Sequence, residues 1–200
     1  MPNLPESSSI PPAIERIVPA FRRSGWISFW VQVVIAVVAT LIFAFSLISL
    51  AFSDSSAGRS QTINPGTGPG IFFALSGLIA LAISIYWTYR YTRFAKQLVS
   101  PEAGKRPSKS DAVQLVQRGL IINLVGMLFN LMAAEAITGI LLAKSLQSLG
   151  AFFSATGSIT RLIQPLDIFV VLANTHSLVA HFVGILVALF LLRAIYRNRN

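Results

Sequence analysis

The chain has 200 residues, of which 54% are hydrophobic and only 12% are charged, and its net charge is +9. A water-soluble domain carries about a quarter charged residues, so this composition excludes an ordinary soluble protein and makes lipid the expected solvent. The absence of cysteine excludes disulfides, iron–sulfur clusters and thiol chemistry. Because the positive charges flank apolar segments, they favour an orientation signal and anionic lipid over nucleic acid as a partner.

Residues 1–25 are predicted to form a cytoplasmic segment. Its first half is rich in proline and serine, whereas Ile14, Ile17 and Phe21 recur at helical spacing among arginines. This pattern predicts a short helix lying on the membrane interface. The apolar run that follows, residues 26–52, is about twice as long as the h-region of a signal peptide. We therefore expect a retained first span.

The second span is predicted over residues 71–90, after a loop at 53–69 that is rich in Gly, Pro and Ser. The span ends in Tyr, Trp and Tyr followed by Arg90, and such aromatic residues are typical of a membrane–water interface. The basic connection at 100–118 contains Ser108 and Asp111, whose spacing predicts a capping box at the start of the next helix.

Residues 119–143 and 168–192 are the third and fourth predicted spans. Between them, residues 144–167 are predicted to form an outer loop that rests against the interface or folds over the open end of the bundle, because apolar residues are interspersed there with Ser, Gly and Thr. A basic tail, residues 193–200, follows. Thirteen of the sixteen Lys and Arg residues lie before the first span, after the second or after the fourth. The positive-inside rule therefore predicts an all-α integral membrane four-helix bundle, N-in and C-in.

The third and fourth spans contain polar residues at depths where water is scarce. A charged group costs about 2.5–3.5 kcal/mol at the centre of a membrane helix, so such residues usually face the protein interior and have partners. The candidate site residues are Asn123, Asn130 and Glu135 on the third span and Asn174, His176 and His181 on the fourth.

Depth pairs these candidates into two polar rungs if the two helices are antiparallel neighbours. With a rise of about 1.5 Å per residue, Glu135 and His176 lie about 12 Å from the outer ends of their spans. Asn130 and His181 lie about 20 Å from the same ends. On each helix the two residues are separated by about 140°, so one rung is expected to face the other spans or a bound molecule.

Interhelical hydrogen bonding is the favoured interpretation for the three asparagines and His181. Glu135 has two interpretations that the sequence leaves open: a proton carrier or cation site, and a structural partner of His176 or of an asparagine. His181 is also compatible with one axial ligand to a chlorin, whereas a bis-histidine haem requires histidines on facing helices. No catalytic, metal-binding or nucleotide-binding signature is present, and no cofactor is predicted.

Three stretches stand out as a set: FRRSGWISFW at 21–30, GILLAKSL at 139–146, and ANT at 173–175 with AHFVG at 180–184. Together they resemble a family of cyanobacterial and plant-plastid membrane proteins known only as a domain of unknown function, and the similarity covers residues 20–192. The resemblance implies a photosynthetic prokaryote and a plasma or thylakoid membrane. It implies no activity and no functional residues.

The leading functional prediction is a non-enzymatic membrane protein that serves as a scaffold, assembly factor or subunit of a membrane complex. It rests on the lack of a catalytic constellation and on helix faces of small residues suited to association. The alternative is a small proton-coupled transporter or carrier using Glu135 with Asn174 and His176, and a pigment-binding protein ranks third. The expected partners are anionic lipids at the cytoplasmic face, other membrane proteins or a second copy, and not nucleic acid.

Overall fold

Four long helices make up the described part of this computed structural model, which covers residues 12–56, 68–100, 107–153 and 163–197. They are α1 (Pro12–Ser56), α2 (Pro69–Leu98), α3 (Lys109–Phe153) and α4 (Pro165–Arg197). Each contains a stretch long and apolar enough to cross a membrane. No strand occurs in these ranges. The prediction of an all-α integral membrane bundle with four spans is confirmed.

The helices pack as an antiparallel bundle in which α1 contacts α2 and α4, and α3 contacts the same two helices. One hydrophobic cluster joins the beginnings of α1 and α3 to the ends of α2 and α4, and its members include Phe21, Tyr91, Leu115 and Leu191. This end carries most of the Lys and Arg residues and is called the basic end. A smaller cluster around Phe43 closes the opposite or far end. The first and last helices therefore begin and end, respectively, at the basic end.

The outside of the bundle is apolar, whereas its interior contains many polar side chains. Leu41 and Ile79 are each 64% exposed, while Gln32, Asn130 and His181 are 0% exposed. A soluble protein has the reverse distribution. Hydrocarbon solvates the exposed aliphatic side chains and offers no hydrogen bonds, so polar groups are stable only where another helix supplies a partner.

The predicted interfacial helix is the beginning of α1 and not a separate element. α1 starts at Pro12, continues through Pro19 and runs unbroken into the first span. Ile17 and Phe21, which the sequence places on the apolar face of that helix, are buried in the cluster at the basic end. Packing against the bundle, rather than against the bilayer surface, therefore accounts for their helical spacing.

The predicted outer loop at 144–167 is wrong for its first part, because α3 continues to Phe153. The segment 144–153 contains no proline, and its Leu, Lys, Gln and Ala residues are strong helix formers. α4 begins at Pro165, near the end of the predicted loop. Residues 154–162, like most of the predicted loop at 53–69, lie outside the described residues.

The predicted capping box at the beginning of α3 is confirmed. The Asp111 N–H donates to Ser108 Oγ at 3.2 Å, and the Ser108 N–H donates to Asp111 Oδ2 at 2.8 Å. These bonds satisfy backbone groups that have no partner within the first turn of a helix. They fix where α3 begins after the connection from α2.

A buried ion pair at the far end joins α3 to the beginning of α4. Lys144 Nζ lies 3.0 and 2.9 Å from the two carboxylate oxygens of Asp167. The two side chains are only 9% and 4% exposed. Asp167 Oδ2 also accepts a hydrogen bond from the Gln164 N–H at 2.9 Å. Lys144 thus belongs to the bundle and not to a loop.

Removing one partner of a buried ion pair leaves an uncompensated charge, which costs about 3–5 kcal/mol. We expect Asp167→Asn to lower the unfolding temperature in detergent by at least several degrees. The double variant Lys144→Met with Asp167→Leu removes both charges and should be less destabilised than the single variant. Circular dichroism during heating measures the unfolding temperatures of the single and double variants. Gln147→Met, a substitution at an exposed position of α3, is the control. Equal losses in the single and double variants would contradict the pairing.

Candidate functional site

A network of hydrogen bonds crosses the interior of the bundle and includes side chains from all four helices. At its centre, Gln32 Nε2 lies 3.1 Å from Ser84 Oγ, 3.2 Å from Asn123 Oδ1 and 3.1 Å from the Ala180 carbonyl oxygen. An amide nitrogen has two hydrogens, so these three acceptors share them. This one side chain of α1 therefore contacts α2, α3 and α4.

Two hydroxyl groups of α2 complete the contacts around this amide. Thr88 Oγ1 donates to Gln32 Oε1 at 3.0 Å, and Ser84 Oγ donates to Asn123 Oδ1 at 2.7 Å. Asn123 Nδ2 donates to the Gly119 carbonyl oxygen, one turn earlier on α3, at 2.9 Å. The four side chains are at most 2% exposed. Because hydrocarbon supplies no hydrogen bonds, the helices must satisfy one another here.

His181 adds a side chain of α4 to the network. Its Nδ1 lies 3.2 Å from Asn123 Oδ1, and its Nε2 lies 3.1 Å from the Gly77 carbonyl oxygen of α2. Both partner atoms are acceptors, so a neutral imidazole donates to one of them at a time. Each ring nitrogen of His181 therefore faces a protein oxygen.

A second group of polar contacts lies two turns along α3, towards the far end. Asn130 Nδ2 donates to Ser177 Oγ at 3.0 Å, and Asn174 Nδ2 donates to the Asn130 carbonyl oxygen at 2.9 Å. The Oδ1 atoms of both asparagines are buried, and neither has a hydrogen-bond partner in the described part of the chain. The asparagines therefore join α3 and α4 through their amide nitrogens.

The predicted meeting of Asn130 with His181 was wrong by seven residues. In the structure His181 pairs with Asn123, and Asn130 pairs with Asn174. Asn123 and Asn130 are seven residues apart, as are Asn174 and His181. Both alignments therefore bring the same helix faces together and differ by a slide of about 10 Å. The prediction failed because it assumed that residues 143 and 168, the predicted outer ends of the two spans, lie at the same height.

Glu135 lies on the outer surface of α3, and the expectation that it faces the interior was wrong. Ala133 and Ile137, two residues before and after it, occupy the buried positions, which turns the carboxylate away from the bundle. His176 is half-buried, and its Nδ1 lies 2.8 Å from the Leu172 carbonyl oxygen of its own helix. The predicted rung between Glu135 and His176 does not form.

The depth predicted for Glu135 also requires correction. Gly70, the second residue of α2, lies against Ala136 and Ile137 of α3. Glu135 is therefore level with the beginning of α2, near the far end, and not about 12 Å inside the span. Burial of a charge in a bilayer becomes less costly towards the interface, so a carboxylate at this level needs no internal partner.

Glycines allow the helices to approach closely at the polar network. A Cβ atom at Gly126 would lie 2.2 Å from the His181 ring, and one at Gly184 would lie 2.4 Å from Asn123 Oδ1. Both distances are shorter than any ordinary van der Waals contact. The α3 and α4 backbones thus form part of the walls around these polar groups, as in other membrane helices that pack through small residues.

The candidate site residues predicted from the sequence include the polar residues of α3 and α4 but not Gln32, Ser84 or Thr88. A signal for Gln32 exists, because it is the one amide side chain in the first span. A lone amide in an apolar helix requires a partner on another helix. Which helix supplies that partner depends on tertiary packing and is not encoded locally.

The network consists of amides, hydroxyls and one imidazole, and its contacts hold helices together. Within the described ranges, no group of three His, Asp or Glu side chains lies close enough to hold a metal ion. What the arrangement provides chemically is hydrogen bonding that replaces water in a dry interior.

The chain is similar in sequence to a known protein family and to a chloroplast protein. A family model described as "Protein of unknown function (DUF3611)" matches residues 11–196. Protein TIC 21, chloroplastic, from Arabidopsis thaliana, is 32% identical over 186 residues, which is 91% of this chain and 58% of that protein. The chain thus spans less than two thirds of the length of that relative. No solved structure matches the chain.

A methyl group at Gly126 has no room beside His181, whereas Gly139 on the exposed face of α3 has no atom within 4 Å of its Cβ position. We expect Gly126→Ala to destabilise the bundle by about 1–3 kcal/mol, the usual range for overpacking. Gly139→Ala should be neutral or slightly stabilising, because alanine favours helix. Thermal unfolding in detergent compares the two. Equal effects would contradict the close approach at Gly126.

Proposed function

The chain belongs to the DUF3611 family of proteins of unknown function, and we propose that it is a non-enzymatic membrane protein serving as a scaffold, assembly factor or subunit of a membrane complex. Its four apolar helices make it a multi-pass membrane protein. The observation that carries the proposal is the polar network in the bundle interior. Hydrogen bonds among Gln32, Ser84, Asn123 and His181 join all four helices there.

The packing around His181 supports a structural role for this network. The ring fits against Gly126 so closely that a Cβ atom there would be 2.2 Å away, and Gln32 fills the space between α2, α3 and α4. A carrier needs a site that a solute reaches from both sides of the membrane. Interlocked side chains at this level favour a rigid bundle over a pathway.

The position of Glu135 weighs against the transporter alternative. That alternative requires the carboxylate to act together with Asn174, which is buried in the interior at 2% exposure. Glu135 points away from the bundle, so no common pathway joins the two groups. The pigment alternative loses its candidate ligand for a similar reason, since both ring nitrogens of His181 face protein oxygens.

The outer face of α3 offers a surface for association with other membrane proteins or with a second copy. Thr138, Gly139 and Ala143 are exposed there, close to Glu135. Small residues on a lipid-facing helix let another backbone approach closely, and a carboxylate at the same level gains from a polar partner. This face supports membership of a complex.

The charge distribution supports a cytoplasmic location for the basic end. The positive-inside rule then gives N-in and C-in, with anionic lipids near the arginines. The chloroplastic relative supports a membrane of a photosynthetic organism. We propose the plasma or thylakoid membrane of a photosynthetic prokaryote, as the resemblance found in the sequence implies.

Copurification from native membranes tests the proposed role. We expect a tagged chain to migrate in native electrophoresis with partners of fixed stoichiometry, and Glu135→Gln to leave this complex intact. Gly126→Leu is the control that should lose the complex, because its side chain would clash with the His181 ring and is expected to disrupt the bundle. In liposomes the purified protein should give no pH-dependent solute flux. Flux that Glu135→Gln abolishes would refute the proposal in favour of transport.

Single cysteines test the orientation cleanly, because the natural chain contains none. Lys109→Cys places a thiol at the basic end, and Gln147→Cys places one on the exposed surface of α3 beyond the far end. A membrane-impermeant maleimide should label Gln147→Cys in right-side-out vesicles and Lys109→Cys only in inverted vesicles. Labelling of both in the same vesicles would contradict the predicted topology.

A further inference from the structure

Two cavities lie end to end along the surface seam between α2 and α3. The one nearer the basic end has a volume of about 390 Å³. Leu115 of α3 lines it together with one face of α2, which contributes Tyr86, Tyr89, Arg90, Arg93, Phe94 and Gln97. These described lining residues include two arginines and no acidic side chain. Guanidinium groups recognise phosphate and similar anions through paired hydrogen bonds, so the cavity suits an anion.

Arg90 is held in place by contacts that do not involve a ligand. Its guanidinium carbon lies 5.0 Å from the centroid of the Trp87 ring, within the range of a cation–π interaction. Trp87 Nε1 donates to the Leu115 carbonyl oxygen of α3 at 3.0 Å. The arginine is thus fixed relative to both helices. A preordered side chain loses less conformational entropy when it binds an anion.

The aromatic residues of this cavity set its height in the bilayer. Tyr86 is 57% exposed and Tyr89 is 42% exposed, and both lie next to Arg90 at the basic end of α2. Tyrosines of this kind settle at the level of the lipid head groups. Their hydroxyls add hydrogen-bond donors to the guanidinium groups at that level.

The second cavity is an apolar groove of about 350 Å³ that continues the seam towards the far end. It is lined by Ser76, Ile79, Ala80 and Ile83 of α2 and by Ile121, Ile122, Val125 and Phe129 of α3. The Ser76 hydroxyl donates to the Phe72 carbonyl oxygen of its own helix, so the groove presents an apolar surface. An acyl chain suits such a groove at hydrocarbon depth.

The two cavities together have the shape of one amphiphile. Ser76, Ile83, Arg90 and Gln97 follow one another every seven residues and share one face of α2. From Arg90 to Ser76 the helix rises by about 21 Å. One leaflet contains about 15 Å of hydrocarbon, half of the full core. The seam therefore accommodates a head group at Arg90 and Arg93 with an extended chain beneath it.

We propose that the α2–α3 seam is a specific site for one anionic membrane lipid, with its phosphate or sulfonate group on Arg90 and Arg93 and one acyl chain in the groove ending at Ser76. Bulk attraction of arginines to an anionic surface requires no cavity and no groove. The proposal goes beyond the scaffold function and does not depend on it. Binding would give the bundle a preferred lipid at its basic end.

The test uses the full chain in a neutral detergent, with phosphatidylglycerol as the anionic probe and phosphatidylcholine as the neutral one. Lipid affinity is measured by native mass spectrometry and by the rise in unfolding temperature. We expect phosphatidylglycerol to bind, and Arg90→Gln with Arg93→Gln to weaken its binding about 30-fold, as expected for two lost charge contacts. The control variant, Arg22→Gln with Arg23→Gln, removes two exposed charges of α1 that also lie at the basic end. It should change the binding of phosphatidylglycerol little.

Arg93→Gln alone guards against a folding defect, because among the described residues Arg93 has no ring beneath it as Arg90 has in Trp87. It should keep the unfolding temperature of the lipid-free protein and still weaken phosphatidylglycerol binding several-fold. Equal losses in the α1 and α2 variants would overturn the site in favour of general electrostatic attraction. If the α2 variants bound phosphatidylglycerol normally but lost a protein partner in copurification from native membranes, the lipid site would be overturned in favour of an acidic protein partner.

A second arm separates the lipid from a free anion. Val125→Phe narrows the groove, and Leu124→Phe adds the same bulk at an exposed position that does not line it. We expect only Val125→Phe to weaken long-chain phosphatidylglycerol, and neither variant to affect the dihexanoyl form. Inorganic phosphate should compete poorly. Competition by phosphate at the same concentration as the long-chain lipid, or equal effects of both phenylalanines, would refute a lipid site.

Discussion

Hydrogen-bond satisfaction in a dry interior is the constraint on which this bundle depends. Water would solvate Gln32, Asn123 and His181 in any orientation, whereas hydrocarbon solvates them in none. The amide of Gln32 meets this constraint by contacting three other helices at once. Apolar packing tolerates small slides between helices, but such a network does not. It therefore fixes the relative height of the helices.

Glycine is the second half of the same constraint. A short polar side chain reaches the next helix only if the backbones lie close together, and a Cβ atom in between prevents that approach. Gly77 and Gly126 provide the space, the first beside Asn130 and the second beside His181. A polar residue on one helix and a glycine on the neighbouring helix therefore act as a pair. Neither member explains the packing alone.

The number and type of the helices and the beginning of α3 were predictable because apolar runs and capping residues are local properties of the sequence. Register was not. Asn123 and Asn130 repeat every seven residues, and so do Asn174 and His181, so two alignments match equally well by helical face. The contacts of His181 with Asn123 and of Asn174 with Asn130 show which alignment occurs, and they arise from packing of segments that are distant in sequence.

Glu135 shows that the cost of burying a charge in a membrane predicts a partner only when the position of the residue along the bundle axis is known. A carboxylate in the middle of a membrane requires a partner, but the middle is defined by neighbouring helices and not by the ends of one apolar run. The beginning of α2, at Gly70, lies level with the residues next to Glu135. Glu135 thus lies on the outer surface, while Gln32, Asn123 and His181 contact one another in the interior. Recognition by this protein is therefore expected at its outer faces, where the α2–α3 seam and the small residues of α3 lie.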